Sequence, residues 1–97
     1  METKQKLKQQ LSARINYCKG LEATSDMPEP PSNQICNYAY YLFAELLETH
    51  DVDTPALFPT LDGGIQGEFY VAEDDNVVLF EFDNCGKIII RAFNFQK

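Results

Sequence analysis

The hydrophobic period of this chain changes near Asp62, and that change limits the possible folds more than any other feature. Before it, apolar residues recur every three or four positions, as on the buried face of a helix. After it, apolar and polar residues alternate, as in strands that bury one face. Short polar stretches separate the alternating segments, which favours antiparallel connections. We therefore predict a single α+β domain spanning 1–97, with two N-terminal helices packed on a three-stranded antiparallel meander.

The helices are predicted at about 2–19 and 33–50. Gly20 is a natural stop for the first, and Ser32 is placed to cap the second. The proline-rich stretch 27–31 is predicted to be a loop, and 51–60 a connector with at most one short turn. The residues of the two apolar stripes are Leu7, Leu11, Ile15 and Cys18, then Ile35, Tyr38, Ala39, Leu42, Phe43, Leu46 and Leu47.

The alternating segments predict a strand register as well as strands. A loop at 73–76 would place Phe69 opposite Phe80. A turn that ends at Gly86, in the left-handed conformation, would place Phe80 opposite Ile90. The side chains that we expect to be buried together against the helices are Phe69, Phe80, Ile90 and Leu42. The predicted strands are about 64–72, 77–83 and 87–95.

The same register leaves a second face of the sheet that no predicted helix covers. It places Glu68 directly opposite Glu81, and like charges in that position repel each other. One interpretation is a solvated face, another is self-association, and a third is a protein-binding patch with an apolar centre rimmed by carboxylates. The candidate partner-binding residues are Glu68, Tyr70, Glu73, Asp74, Asp75, Leu79, Glu81, Asp83 and Ile89.

Charge is divided unevenly along the chain. Residues 20–86 contain fourteen Asp and Glu and no Lys or Arg, and the net charge is −7. Such a field repels nucleic acid and anionic membranes and attracts basic protein surfaces. We therefore expect a protein partner with a basic surface, no direct contact with nucleic acid and no membrane association.

The residues that catalysis requires do not occur in a recognisable pattern. The one histidine, His50, is expected to complement the end of the second helix, and Cys85 has no histidine near it in sequence. The acidic run 73–75 lacks the spacing of a calcium loop. We predict no enzymatic activity, no cofactor and no metal. Three cysteines without a paired motif and a polar N-terminus predict free thiols and a cytoplasmic protein.

The stretch Gly63-Gly64-Ile65-Gln66-Gly67-Glu68-Phe69, with the acidic and aliphatic hairpin after it, resembles a pattern in small bacterial proteins. Those proteins carry a Gly-Gly-Ile/Val-Gln-Leu-Glu-Trp motif and are accessory or antitoxin-like. The resemblance covers about the last 40 residues and departs from the pattern at Gly67 and Phe69. It implies the meander and a bacterial or phage origin, and it supplies no site.

Two functions fit these observations. The first is a small acidic inhibitor that neutralises a bacterial nucleic-acid-handling protein, as phage anti-defence proteins of the anti-CRISPR kind and antitoxins do. The second is an interaction or scaffold module that forms a homodimer and whose acidity serves solubility.

Overall fold

A computed structural model describes residues 3–50, 52–71 and 76–94. The strands form one antiparallel sheet in the order β1-β2-β3-β4. The α+β class and the two N-terminal helices are confirmed, but the meander has four strands instead of three. The elements are α1 (Lys4–Lys19), α2 (Asn33–Thr49), β1 (Ala56–Pro59), β2 (Ile65–Val71), β3 (Asn76–Phe82) and β4 (Ile88–Asn94).

Both helices begin at a hydroxyl cap. The side chain of Thr3 accepts a hydrogen bond from the Lys6 backbone N–H, and that of Ser32 accepts one from Ile35, both at 3.2 Å. The apolar face predicted for α1 is confirmed, because all four of its residues are buried. On α2 the buried face is rotated toward Cys36, and Tyr38 is 50% exposed. The buried residues of α2 are Ile35, Cys36, Ala39, Phe43 and Leu47.

The prediction that 51–60 is only a connector is wrong, because Ala56–Pro59 forms an edge strand beside β2. An edge strand tolerates Pro59, which has no N–H to donate. The strand begins where Arg14 holds the chain: its Nη1 donates to the carbonyls of Thr54 at 3.1 Å and Pro55 at 2.7 Å. Long-range contacts of this kind leave no periodic signal in four residues.

The predicted register is right between β3 and β4 and wrong between β2 and β3. Phe80 lies opposite Ile90, and Gly86 has the left-handed backbone that the turn requires, with φ of 86°. Between β2 and β3 the pairing is shifted by two residues, so that Phe80 lies opposite Gly67 and Phe69 opposite Val78. A shift of two keeps every side chain on its predicted face.

This shift also removes the predicted like-charge pair. Glu68 lies opposite Leu79, and Glu81 lies opposite Gln66. The two carboxylates are therefore diagonal neighbours, and the direct Glu68–Glu81 repulsion expected from the sequence is wrong.

The ring of Phe43 occupies the space that Gly67 leaves open. A Cβ atom at Gly67 would lie 2.5 Å from Cζ of Phe43, whose side chain is fully buried. The ring makes edge-to-face contacts with Phe69, Phe80 and Phe82 at centroid distances of 5.4, 6.0 and 5.7 Å. The observed register thus groups four aromatic rings around a glycine.

The helices cover only part of the inner face of the sheet. On β2 and β3, Ile65, Phe69 and Phe82 are at most 4% exposed, whereas Ile88 and Ile90 on β4 are 44% and 62% exposed. The predicted burial of Ile90 is therefore wrong, and Leu42 is only half-buried against the core. The reason is lateral position: α1 contacts β1 and α2 contacts β2, so the helix layer ends before β4.

Candidate protein-binding surface

The face of the sheet that points away from the helices carries most of the predicted partner-binding residues. Both helices bury their apolar sides against the opposite face, and no described helix packs on this one. The structure brings Glu68, Tyr70, Leu79, Glu81 and Ile89 together here, as predicted. We call it the outer face and define it by Gln66, Glu68, Tyr70, Val77, Leu79, Glu81, Ile89 and Arg91.

Apolar and acidic side chains alternate across the outer face. One cross-strand row runs from Glu68 through Leu79 to Arg91, and the next joins Glu81 to Ile89. Tyr70 is 54% exposed. Leu79 and Ile89 are half-buried, yet neither belongs to the core cluster or packs against it. They are therefore apolar side chains that the helix-side core does not use.

Asp83 has a structural role that its place among the candidates did not suggest. Its Oδ1 accepts hydrogen bonds from the backbone N–H groups of Cys85 at 2.9 Å and Lys87 at 2.8 Å. The backbone N–H of Asp83 donates to the Lys87 carbonyl at 2.9 Å, so these two residues lie opposite each other across the turn. An aspartate that bonds the backbone two residues later is a known turn device, and the sequence Asp-Asn-Cys-Gly carries that signal.

Three loops meet at the end of the sheet beside Glu81. Glu29 and Asp62 form a parallel bridge, and a Cβ atom at Gly63 would lie 3.5 Å from Glu29 Oε2 and 3.3 Å from Asn84 Cβ. This places Glu29 and Asp62 near the Asp83 turn and makes that end of the sheet acidic. The remaining predicted residues, Glu73, Asp74 and Asp75, lie outside the described residues.

The basic residues of α1 act on the other side of the molecule. Lys4 Nζ donates to the carbonyl of His50, the C-cap of α2, at 2.6 Å, which places a positive charge at the negative end of that helix. Lys8 pairs with Glu48 at 2.6 Å, and this contact raises the pKa of Lys8 and lowers the pKa of Glu48. These contacts and those of Arg14 join α1 to α2 and to the start of β1, and none of them lies on the outer face.

Side chains that could ligate a metal ion are not clustered in the described part of the chain. Within 3–50, 52–71 and 76–94, no three His, Cys, Asp or Glu side chains are grouped so that they could hold a metal ion. The free thiols predicted from the sequence are confirmed: Cys18 and Cys36 are buried and Cys85 is exposed. Burial raises the pKa of Cys18 and raises that of Cys36 to about 11, so both stay protonated at neutral pH. In the same residues, no helix is long and apolar enough to cross a membrane.

Sequence reasoning did not identify the close contacts within the sheet and on its helix side that support the outer face. The glycine motif is structural: a Cβ at Gly64 would lie 1.9 Å from the Phe82 carbonyl oxygen, and Gly67 admits Phe43. The sequence does contain one signal of an apolar outer face. The run Ile88-Ile89-Ile90 breaks the alternation and makes both faces of β4 apolar. Comparisons of this chain with protein-family models, with curated proteins and with solved structures find no match.

Proposed function

We propose that this protein is a small acidic inhibitor without enzymatic activity, which binds a basic surface of a bacterial nucleic-acid-handling protein. Phage anti-defence proteins of the anti-CRISPR kind and antitoxins act in this way. The observation that carries the proposal is the open outer face, where Tyr70, Leu79 and Ile89 stand beside Glu68 and Glu81.

The apolar centre of the outer face supplies the contact that a lasting complex needs. Binding energy concentrates in a few central residues that lose water, and tyrosine is among the side chains that dominate such centres. Tyr70 projects a large amphipathic surface at 54% exposure, with the aliphatic side chains of Leu79 and Ile89 on the neighbouring strands. A protein partner can cover all three at once, since they share one face.

Acidic residues around this centre select the partner. Glu68 and Glu81 lie within the outer face, and Glu29 and Asp62 lie at the adjoining end of the sheet. Among the described residues, the one ion pair between side chains is Lys8–Glu48, on the helix side. None of these four acidic groups is in an ion pair with a described residue, and the Asp62 carboxylate accepts a hydrogen bond from Thr60 Oγ1. Complementary charge favours rapid encounter with a basic surface. A nucleic-acid-binding groove is a surface of that kind.

The first test is capture of a partner from a bacterial lysate with immobilised wild-type protein and two matched variants. Tyr70→Ser removes an outer-face tyrosine, and Tyr41→Ser makes the same change at a tyrosine that is 71% exposed on α2. We expect Tyr41→Ser to retain the basic protein that the wild type binds and Tyr70→Ser to lose it. Equal recovery by both variants would exclude the outer face.

The second test measures inhibition with the captured protein. Its nucleic-acid binding is titrated with wild-type inhibitor at low and high salt. We expect complete inhibition near one inhibitor per target, weakening as salt rises, because exposed charges are screened beyond about 8–10 Å at physiological ionic strength. Complete inhibition at far less than one inhibitor per target would indicate catalysis. In the capture test, recovery of no protein except this chain would favour the scaffold function.

A further inference from the structure

On one side the sheet ends in β4, an edge strand with two exposed isoleucines. β4 is seven residues long, has β3 as its one neighbour in the sheet, and contains no proline and a single charged residue, Arg91. Natural edge strands are usually short, charged or covered, because unpaired backbone groups attract another strand. A long apolar edge of this kind is a template for strand pairing.

The hydrogen-bond pattern identifies which backbone groups face outward. The backbone N–H of Asp83 donates to the Lys87 carbonyl, so this pair is a hydrogen-bonded one. Hydrogen-bonded and non-hydrogen-bonded pairs alternate along an antiparallel ladder. Positions 89 and 91 therefore bond to β3, and the N–H and C=O groups of Ile88, Ile90 and Ala92 point away from it.

The side chains at these positions make the same edge apolar. Ile88 and Ile90 lie on the helix side of the sheet, past the end of the helix layer, at 44% and 62% exposure. Beside them an apolar groove of about 180 Å³ runs between α2 and β3. Its lining residues are Leu46, His50, Val52, Phe69, Val78 and Phe80, and the last two lie opposite Ala92 and Ile90.

We propose that two copies of this chain pair antiparallel through β4, with Ile90 on the two-fold axis, to form one eight-stranded sheet. In this register Ile90 faces Ile90 of the second copy, and Ile88 faces Ala92 of the second copy. Every outward N–H and C=O group at these three positions then finds a partner. The exposed isoleucines of both copies come together on the helix side and form a shared apolar strip.

Charge selects this register over its neighbours. If the second copy is shifted by two residues in one direction, Arg91 lies opposite Lys87 of that copy. A shift of two residues in the other direction places Arg91 opposite Arg91. Like charges opposite each other are destabilising. With Ile90 on the axis, Arg91 instead faces Ile89 of the second copy. It then stands in the same cross-strand row as Glu81 of the second copy, so the interface contains two complementary charge rows.

The dimer is independent of the proposed inhibitory function, because it uses the edge of the sheet and not its outer face. A two-fold axis perpendicular to the sheet keeps both outer faces on one side. Two binding surfaces would therefore point in the same direction, and a monomeric variant would keep one complete surface. Loss of the dimer and loss of the partner can thus be told apart.

The first experiment measures mass in solution by sedimentation equilibrium. We expect the wild type to have twice the chain mass of 11.1 kDa and Ile90→Lys, which would place two like charges on the axis, to be monomeric. Leu61→Lys makes the same change at an aliphatic residue that is 73% exposed outside the strands, and should remain dimeric. A monomeric wild type, or a dimer that survives Ile90→Lys, would overturn the proposal.

The second experiment tests the register by disulfide formation in a Cys85→Ser background. Cα atoms of a hydrogen-bonded antiparallel pair are about 5.5 Å apart, within the range that a disulfide bridges, so Ile90→Cys should form a covalent dimer on mild oxidation. Ile89→Cys faces Arg91 of the second copy, and its two copies would be about 8 Å apart, beyond that range. Cross-linking of Ile89→Cys as readily as Ile90→Cys would exclude this register.

Discussion

The two edge strands of this sheet differ in length, composition and cover. β1 has four residues, is bounded by Pro55 and Pro59, and lies beside α1, whose Arg14 occupies the carbonyls of Thr54 and Pro55. β4 has seven residues, no proline and two exposed isoleucines. The first edge is therefore short, flanked by prolines and in contact with α1, whereas the second is longer and has none of these features.

The difference comes from where the two helices lie across the sheet and not from their number. Packed helices lie about 8–10 Å apart and strands about 4.8 Å apart, so two helices can span about four strands, but two helices displaced toward one edge leave the other edge uncovered. In this chain the helices are placed toward β1 and β2. Ile88 and Ile90 of β4 therefore remain exposed, which is the condition for the proposed pairing of two copies.

The sharpest test of this contrast truncates two side chains on the helix side of the sheet, one under the helices and one on β4. Phe82→Ala should lower the free energy of unfolding by about 3–5 kcal/mol, because the ring is 2% exposed and its removal leaves a cavity. Ile90→Ala should lower it by less than about 1 kcal/mol in dilute protein, because the side chain is 62% exposed. Urea unfolding of both variants measures the difference. Similar losses would mean that β4 is covered within one chain.

A smaller loss in the free energy of unfolding is expected at Gly67, where α2 packs closely on the sheet. Gly67→Ala should destabilise by about 1–3 kcal/mol, since its Cβ would overlap the buried Phe43 ring. The control is Gly20→Ala, whose backbone φ is −84° and whose Cβ would lie at ordinary contact distances of 3.6 Å. That change should be neutral or slightly stabilising. Equal unfolding midpoints for the two variants would contradict the packing described.

The attachment of β1 to the rest of the molecule can be weakened by changing one side chain. Arg14→Met keeps the aliphatic stem but removes the donors to the carbonyls of Thr54 and Pro55, and should cost about 1–2 kcal/mol. Lys19→Met, an exposed change on the same helix, should stay within about 0.5 kcal/mol of the wild type. Hydrogen exchange should also quicken in β1 and not in β4. Unchanged exchange in β1 would show that Arg14 does not hold this edge.

The smallest effect concerns the ion pair that ties α1 to α2. Glu48 has a lowered pKa, so its contribution is present above its ordinary pKa of 4.5 and is lost as pH falls through the folded value. Lys8 has a raised pKa, so its contribution is present below 10.5 and is lost as pH rises through the folded value. Glu48→Gln should therefore differ slightly from the wild type only between these limits, and less at high salt. A difference that persists at a pH low enough to protonate Glu48 in both the folded and the unfolded state would exclude the ion pair as its cause.

Local chemistry in the sequence was sufficient to predict the two helices, the Ser32 cap and the β3–β4 turn. Ser32 and Gly86 act within a few residues of their own positions, and each does what its type predicts. The β2–β3 register depends instead on Phe43, a helix residue that fits over Gly67. β1 depends on Arg14, which is 40 residues from Thr54 in sequence. Distant contacts of this kind have no periodic signature.

The candidate site shows the same division. Alternation placed Glu68, Tyr70, Leu79, Glu81 and Ile89 on one face, and a two-residue register error left that grouping intact. Alternation did not indicate that the Asp83 carboxylate would accept hydrogen bonds from the backbone of the β3–β4 turn. Nor could it show where the helix layer ends, because lateral cover depends on how the helices sit across the sheet.

The contact between Phe43 and Gly67 also limits how this sequence can diverge. A larger residue at 67 must displace a ring that touches three other rings, so the change is tolerated only if position 43 becomes smaller at the same time. A homologue with Leu at position 67 should then carry Ala or Val in place of Phe43, and the two positions should vary as a pair in descent.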